Sequence, residues 1–344
     1  MATNEPPSPR KRKIAETTTP DVGKSVDETS RTYYVLEEGR YVPVKKESDV
    51  APPAPAPAPD SDEDVDPVLE AEYNRQIRES DGFDLNVYIP NGSLLPYKCH
   101  DHHDLEDDIG ICARVGLHCF NLHKSLINFV QGSNFRLLRL EKYNVWFTGF
   151  VTYFITADVI DPSSNLPFVF QTCVKLTWTC NNEDYKIETE LCRLKPDTHG
   201  SEAEVVGCPW DPEAVHDFYQ CGLYWLWCNL LFFSHSNLLI LSLSQLQNSE
   251  IREYDWLNMY ADYAFYTLWE NGLTKLKFAT PLEIKKVIVQ THEAMEPKEM
   301  LKAGNAVFYI NFRDCGLTEE HRAVVRRTTD GHPEHLCLEV KCPD

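Results

Sequence analysis

The sequence predicts an α+β protein of two units, each a helix packed on an antiparallel four-stranded sheet, preceded by a disordered N-terminal arm. Three observations carry this reading. A helix-period run followed by strand-like alternating runs occurs twice, starting near Ile111 and again at Asp255. Clusters of turn-forming residues separate the runs. Residues 1–66 are rich in Pro, Ser, Thr and charged residues, with too few apolar side chains to repay the entropy of ordering.

Each element has a local reason. Val68, Leu69, Tyr73 and Ile77 recur near the helical period over Pro67–Ser80. Pro67 suits a first helical turn, and Asp81-Gly82 ends the helix. Residues 83–111 read as loop, because Pro90, Asn91-Gly92 and Pro96 interrupt them. The first repeat then opens with a helix over Ile111–Phe129, striped by Val115, Cys119, Leu122 and Leu126. Strands follow at Phe135–Tyr143, Phe150–Val159, Phe168–Thr179 and Tyr185–Leu194, with turn chemistry at Asp161–Asn165 and Asn181–Asp184. The second repeat has a helix at Asp255–Trp269, then strands at Glu283–His292, Ala306–Phe312, Arg322–Thr328 and Leu336–Lys341. A helix followed by an antiparallel meander implies a helix on one face of each sheet.

The predicted organisation is an arm at 1–66 with a basic run and a Pro/acidic linker, a first α+β unit at 67–200 with a leading helix, a connector with an apolar insert at 201–254, and a second α+β unit at 255–344. Within the arm, Tyr33–Leu36 and Arg40–Val44 form a β-prone aromatic stretch, readable as a stray strand or a recognition peptide. Pro52–Pro59 is a polyproline-type spacer. The insert is unusual: from Phe218 to Ser249 there is no Asp, Glu, Lys or Arg. Its length and hydropathy admit a membrane-spanning helix. Acidic flanks, the absence of a neighbouring Lys/Arg cluster and the polar break at Ser234–Asn237 argue against that. A buried or partner-covered helix is the second reading.

Charge narrows the function. Lys+Arg total 33 against 53 Asp+Glu, a formal charge of −20, so the chain is not built to coat nucleic acid, which takes a net basic face. The 12 cysteines come without an N-terminal apolar signal core, which implies reduced thiols in cytosol or nucleus. Cys119, Cys173 and Cys192 fall inside predicted elements as core packers. Arg10, Lys11, Arg12 and Lys13 form a compact basic run suited to the acidic groove of a nuclear-import receptor. Phosphorylation of the adjacent Ser8 would weaken that contact.

No catalytic centre is expected. The densest metal-capable set is Cys99–Asp104 with Glu106, Asp107, Asp108 and Cys112. It matches no closed Cys/His zinc pattern and reads as a polar loop. There is no P-loop, G-x-S-x-G or G-x-G-x-x-G. Arg326-Arg327 near Asp330 and His332 resembles a charged site. On an alternating strand it reads as one outward Arg and one at the sheet edge. The chain is therefore expected to be no enzyme, with no cofactor and no metal.

Several segments, in order, resemble a plant-restricted family that includes the rapeseed male-sterility-five protein. They are Glu72–Asp84, Arg114–Leu122, Leu140–Asn144, Phe170–Thr172, Asp255–Leu257, Ile288–Thr291 and Arg326–Val340, spanning roughly residues 70–342. The resemblance implies two units of cystatin/monellin-like fold, no known enzymatic activity, and a nuclear role in early male meiosis and fertility. It brings no active-site residues. The expected partners are other proteins, in particular meiotic nuclear proteins. Small-molecule substrates, direct nucleic-acid binding and membrane attachment are not expected. Protease regulation is the alternative, but the inhibitory Q-x-V-x-G hairpin is missing at both Gln171–Lys175 and Gln290–Ala294. A membrane-anchored protein and chromatin binding through the basic arm are further alternatives. Gly222–Gln245 looks foreign to this family, and its Leu, Phe and Ser density is what a read-through intron end would encode.

Overall fold

The computed structural model describes residues 34–37, 40–43, 66–99, 108–127, 134–178, 185–196, 209–211, 213, 242–268, 276, 279, 281–291, 295–316 and 319–342. The chain divides into two units, Met1–Pro59 and Asp60–Asp344. In the first, β1 (Tyr34–Glu37) and β2 (Arg40–Pro43) pair antiparallel, Tyr34 opposite Pro43. The β-prone stretch of the arm thus forms a hairpin, as its aromatic and β-branched residues favour.

The second unit begins with α1 (Pro67–Ser80). The Asp66 carboxylate caps it by accepting from the Val68 N–H at 2.9 Å. Asp81, in the left-handed region, ends it. Tyr73 is buried, whereas Val68, read as part of the apolar stripe, lies in solvent in the first turn.

Next come β3 (Leu94–Lys98), α2 (Asp108–Ile127), β4 (Arg136–Phe147), β5 (Val151–Asp161), β6 (Leu166–Trp178) and β7 (Tyr185–Leu194). The later part has β8 (Ser242–Gln245), α3 (Asn248–Glu253), α4 (Trp256–Thr267), β9 (Leu282–Thr291), α5 (Pro297–Met300), β10 (Ala306–Asp314), β11 (Glu320–Thr328) and β12 (Cys337–Lys341). The expected helices and meander strands are present within a few residues of their predicted limits.

The sheet differs from expectation. Instead of two four-stranded sheets there is one sheet of ten strands, in the order β3-β4-β5-β6-β7-β12-β11-β10-β9-β8. The last strands of the two meanders, β7 and β12, pair antiparallel: Ile187 opposes Leu338, and Lys186 opposes Glu339. Apolar meets apolar on one face and opposite charges meet on the other, so the seam satisfies both. Each half also gains a strand ahead of its main helix. β3 lies in the segment read as loop. Pro96 disguised it, yet proline is tolerated on an edge strand, where half the backbone needs no partner. β8 lies in the stretch read as connector and pairs with β9.

Each half therefore runs strand, helix, then a four-stranded meander. α2 and α4 lie on one face of the sheet, and a single apolar core joins them. It includes Val115 and Cys119 of α2, Leu257 and Phe265 of α4, Phe170 and Ile187 of the first half, and Phe308 and Val325 of the second. Arg114 of α2 binds Asp262 of α4 at 2.6 Å.

α2 sits close enough to β6 that a Cβ on Gly116 would lie 2.2 Å from Thr172 Oγ1. That hydroxyl donates to the Leu191 carbonyl at 2.8 Å, so it has little freedom to move aside. Gly116→Ala is expected to lower stability by about 1–3 kcal/mol, read as a reduced denaturation midpoint. Adding Thr172→Ala should recover part of the loss.

Candidate functional site

Two buried polar clusters flank the seam. The first centres on Arg327. Consecutive arginines on a strand point to opposite faces. Arg326 goes outward and pairs with Glu339. Arg327 does not sit at a sheet edge as expected: β11 lies between β10 and β12, and Arg327 is 0% exposed beneath the helices. The sequence pattern could not tell which of the two pointed inward. Arg327 Nη2 donates to the Leu301 carbonyl at 2.9 Å and to the Ala303 carbonyl. Nη1 lies 3.4 Å from both the Tyr260 hydroxyl and His118 Nε2. The guanidinium carbon sits 5.3 Å from the Trp256 ring centroid and 5.0 Å from that of Phe308. Among the described residues no carboxylate pairs with it. Carbonyl dipoles and aromatic faces carry the charge instead.

His118 of α2 meets the Tyr260 hydroxyl of α4 at 3.1 Å and stacks on Trp256 at 4.8 Å. Burial, reinforced by Arg327, holds the His118 pKa well below its usual value, so the ring stays neutral. Burial pushes the Tyr260 hydroxyl up to about 12, against the opposing pull of Arg327. These groups tie α2, α4, β11 and the 301–303 turn together.

The second cluster is the turn between β11 and β12. The Asp330 carboxylate accepts from Asp211 N at 2.9 Å and from His332 N at 3.0 Å, and lies 2.8 Å from His335 Nδ1. Burial pushes the Asp330 carboxyl up. The bonds from Asp211, His335 and His332 outweigh it and hold the pKa below the ordinary carboxylate value. Trp210 stacks on His335 with centroids 4.7 Å apart and donates through its indole N–H to the Thr189 carbonyl at 3.2 Å. The Thr189 hydroxyl donates to the Glu334 carbonyl at 2.7 Å and accepts from Leu336 N at 2.7 Å. His335 Nε2 is buried and has no partner among the described residues. An Asp-oriented imidazole is a shape that general bases share. Here no nucleophile among the described residues hydrogen-bonds to Nε2, and its demonstrated contacts tether Trp210 and Asp211 to β7 and the turn.

Other candidates from the sequence lie largely outside the described residues. Arg10, Lys11, Arg12 and Lys13 lie outside the described residues, as do His100–Asp107 and residues 214–241. Of the metal-capable stretch, the Asp108 carboxylate accepts from the Tyr153 hydroxyl at 2.8 Å. Cys112 is buried, its thiol pushed well up by burial and then by Asp108. Cys119, Cys173 and Cys192 are buried as expected. Among the described residues, the one group with ligand atoms close enough for a metal is Asp314, Glu319 and His321 at the end of the β10–β11 hairpin. His321 Nε2 lies 3.3 Å from Asp314 Oδ2, which accounts for that pair as an internal contact.

A family model described as Protein MS5 matches residues 233–338. The UPF0725 protein At4g29550 of Arabidopsis thaliana is 47% identical over 303 residues, covering 85% of this chain and 79% of that protein. The chain belongs to the MS5 family. A second Arabidopsis relative, UPF0725 protein At3g44770, is 33% identical over 280 residues, covering 80% of this chain and 82% of that protein. The crystal structure of MS5 from Brassica napus aligns with a TM-score of 0.47 and 23% identity, covering 68% of this chain and 96% of that one. The MS5 match begins at residue 233, inside the stretch that looked foreign to the family, and β8 is built from that stretch's last residues. At least residues 233–245 are therefore not foreign.

Arg327→Ala would strip the Leu301 and Ala303 carbonyls of their donor and leave a cavity. A loss of about 3–5 kcal/mol in unfolding free energy is expected, with Arg327→Met losing less than half of that. His118 gives a pH signature. Unfolded, the ring takes up a proton near its ordinary value of 6.5; folded, it resists. Its contribution is thus fully present above that pH and is lost as pH falls below it, by up to about 1.4 kcal/mol per pH unit. Subtracting the stability–pH curve of His118→Gln from that of wild type should isolate this slope.

Proposed function

We propose that the protein is a nuclear, non-enzymatic interaction protein of plant reproductive development, acting in male fertility through early meiotic prophase and chromosome pairing. Membership of the MS5 family carries this reading. The basic run Arg10–Lys13 supports nuclear import, and the acidic balance of the chain favours protein partners over nucleic acid. The buried polar clusters support a scaffold role, because their hydrogen bonds hold elements of the fold together. Each half is a cystatin-like unit, a reading supported by its order of strand, helix and four-stranded meander.

Contact with partners runs through surface that the fold leaves apolar. At the β4–β5 hairpin, Trp146 is 44% and Phe147 61% exposed. Side chains of this size in solvent mark contact surfaces when they cluster. A cystatin-like protease regulator is the second reading, favoured by the topology of the halves. A purified chain that leaves papain-type enzymes uninhibited at micromolar concentration rejects it.

The test is genetic and cytological. A null allele should give male-sterile plants arrested in early meiosis, and tagged wild-type protein should restore fertility from the nuclei of meiocytes. Replacing Arg10–Lys13 with alanines should shift the protein to the cytoplasm and abolish rescue, and an unrelated import signal should restore both. Trp146→Ser with Phe147→Ser should leave the denaturation midpoint within about 0.5 kcal/mol equivalent yet fail to restore fertility. Fertile null plants would refute the function.

A further inference from the structure

The ten-stranded sheet is open and ends on β3 and β8. An end strand turns a row of backbone N–H and C=O groups away from its neighbour, and a strand of another chain can pair with them. One bond fixes which groups these are on β3. Cys99 N, one residue past the strand, donates to the Glu141 carbonyl beside β4 Lys142 at 3.2 Å. In an antiparallel pair, residues that bond across the pair alternate with residues that do not. Leu95 and Tyr97 therefore turn their backbone groups to β4, and Leu94, Pro96 and Lys98 turn theirs outward.

Two of those three outward positions are closed. Leu94 N donates to the Tyr73 hydroxyl at 2.7 Å, and the same hydroxyl donates to the Leu94 carbonyl at 3.0 Å. A phenol oxygen carries one proton and lone pairs, so it can answer both groups at once. It stands where a residue of a flanking strand would stand. Pro96 has no N–H to offer. The third position, Lys98, is exposed and charged, which further discourages a strand from settling there.

The hydroxyl is held in this place from several sides. Tyr73 projects from α1, and its ring is buried in a small apolar cluster with Leu85, Ile89 and Leu94. Ion pairs from Asp81 to Arg193, and from Asp84 to Lys142 and Lys195, fasten the chain between α1 and β3 to the sheet. The Asn91-Gly92 turn leaves the hydroxyl room. Asn91 takes φ 63°, and Gly92 N donates to the Ile89 carbonyl at 3.1 Å. A Cβ on Gly92 would lie 3.0 Å from the Tyr73 hydroxyl and 2.9 Å from Ile89 Cγ1. Burying an aromatic ring needs no hydroxyl. This one is spent on the backbone of the end strand.

We propose that Tyr73 closes the β3 edge against pairing with β3 of a second copy of this chain. Two β3 strands related by a two-fold axis would run antiparallel about Pro96, with Leu94 of one copy opposite Lys98 of the other. Every hydrogen bond of that pairing uses a backbone group of Leu94 or the N–H that Pro96 lacks. Tyr73 and Pro96 together therefore remove them all. Two variants of the full-length chain test this. Tyr73→Phe keeps the ring and frees Leu94. In dilute solution its Leu94 amide should exchange about tenfold faster, while the Leu95 and Tyr97 amides keep their rates. The same variant should self-associate more tightly than wild type in sedimentation. Tyr73→Phe with Pro96→Val should associate at least tenfold more tightly than wild type. In that double variant, p-benzoylphenylalanine in place of Lys98 should cross-link to residues 94–98 of the second copy. A Leu94 amide unchanged by Tyr73→Phe, association of either folded variant no tighter than wild type, or cross-links absent from β3 overturns the proposal.

Discussion

The antiparallel pairing of β7 with β12 is the constraint on which the rest depends. Each is the last strand of a meander, and alone each would present an unpaired edge, a template for association with other chains. Paired, they turn two small sheets into one of ten strands. The pairing also sets α2 and α4 side by side on one face, where neither half closes its core alone. Val115 and Leu257, from different halves, belong to the same apolar cluster. Small sheets with one helix are marginal; a shared core raises the fraction of surface buried.

Helices packed over a seam need their polar groups satisfied. Arg114–Asp262, His118–Tyr260 and Arg327 do this across α2, α4 and β11. Asp262 shows the cost: burial raises its carboxyl pKa, and Arg114 offsets only part of the rise. The Asp330–His335 turn does similar work on the other flank by fastening Trp210 and Asp211. The buried polar side chains of both clusters hydrogen-bond between elements and so join pieces of chain. Trp146 and Phe147 of the β4–β5 hairpin, by contrast, stay exposed.

Much of this was legible in sequence, for a physical reason. Periodicity reports which face of an element is buried, so α2, α4 and the meander strands could be read from their alternation. Tyr185–Leu194 was legible to the residue. Periodicity does not report which strand lies next to which, so the seam was invisible. β3 was hidden by Pro96, and β8 is only 4 residues long, at the end of a stretch read as connector. Arg327 was misplaced at a sheet edge because alternation reports the face a side chain takes, not whether strands flank its own on both sides. The family resemblance was recoverable because its segments recur in order along the chain.

The most direct test of the joined architecture is amide exchange followed through denaturant at β5 and β10, one strand from each half, in wild type and in Leu338→Asp. A single cooperative sheet predicts coincident midpoints in wild type, and an equal drop at both strands when the seam residue is changed. Separate midpoints, or a drop confined to β10, would mean that the halves are independent bodies and would contradict the account.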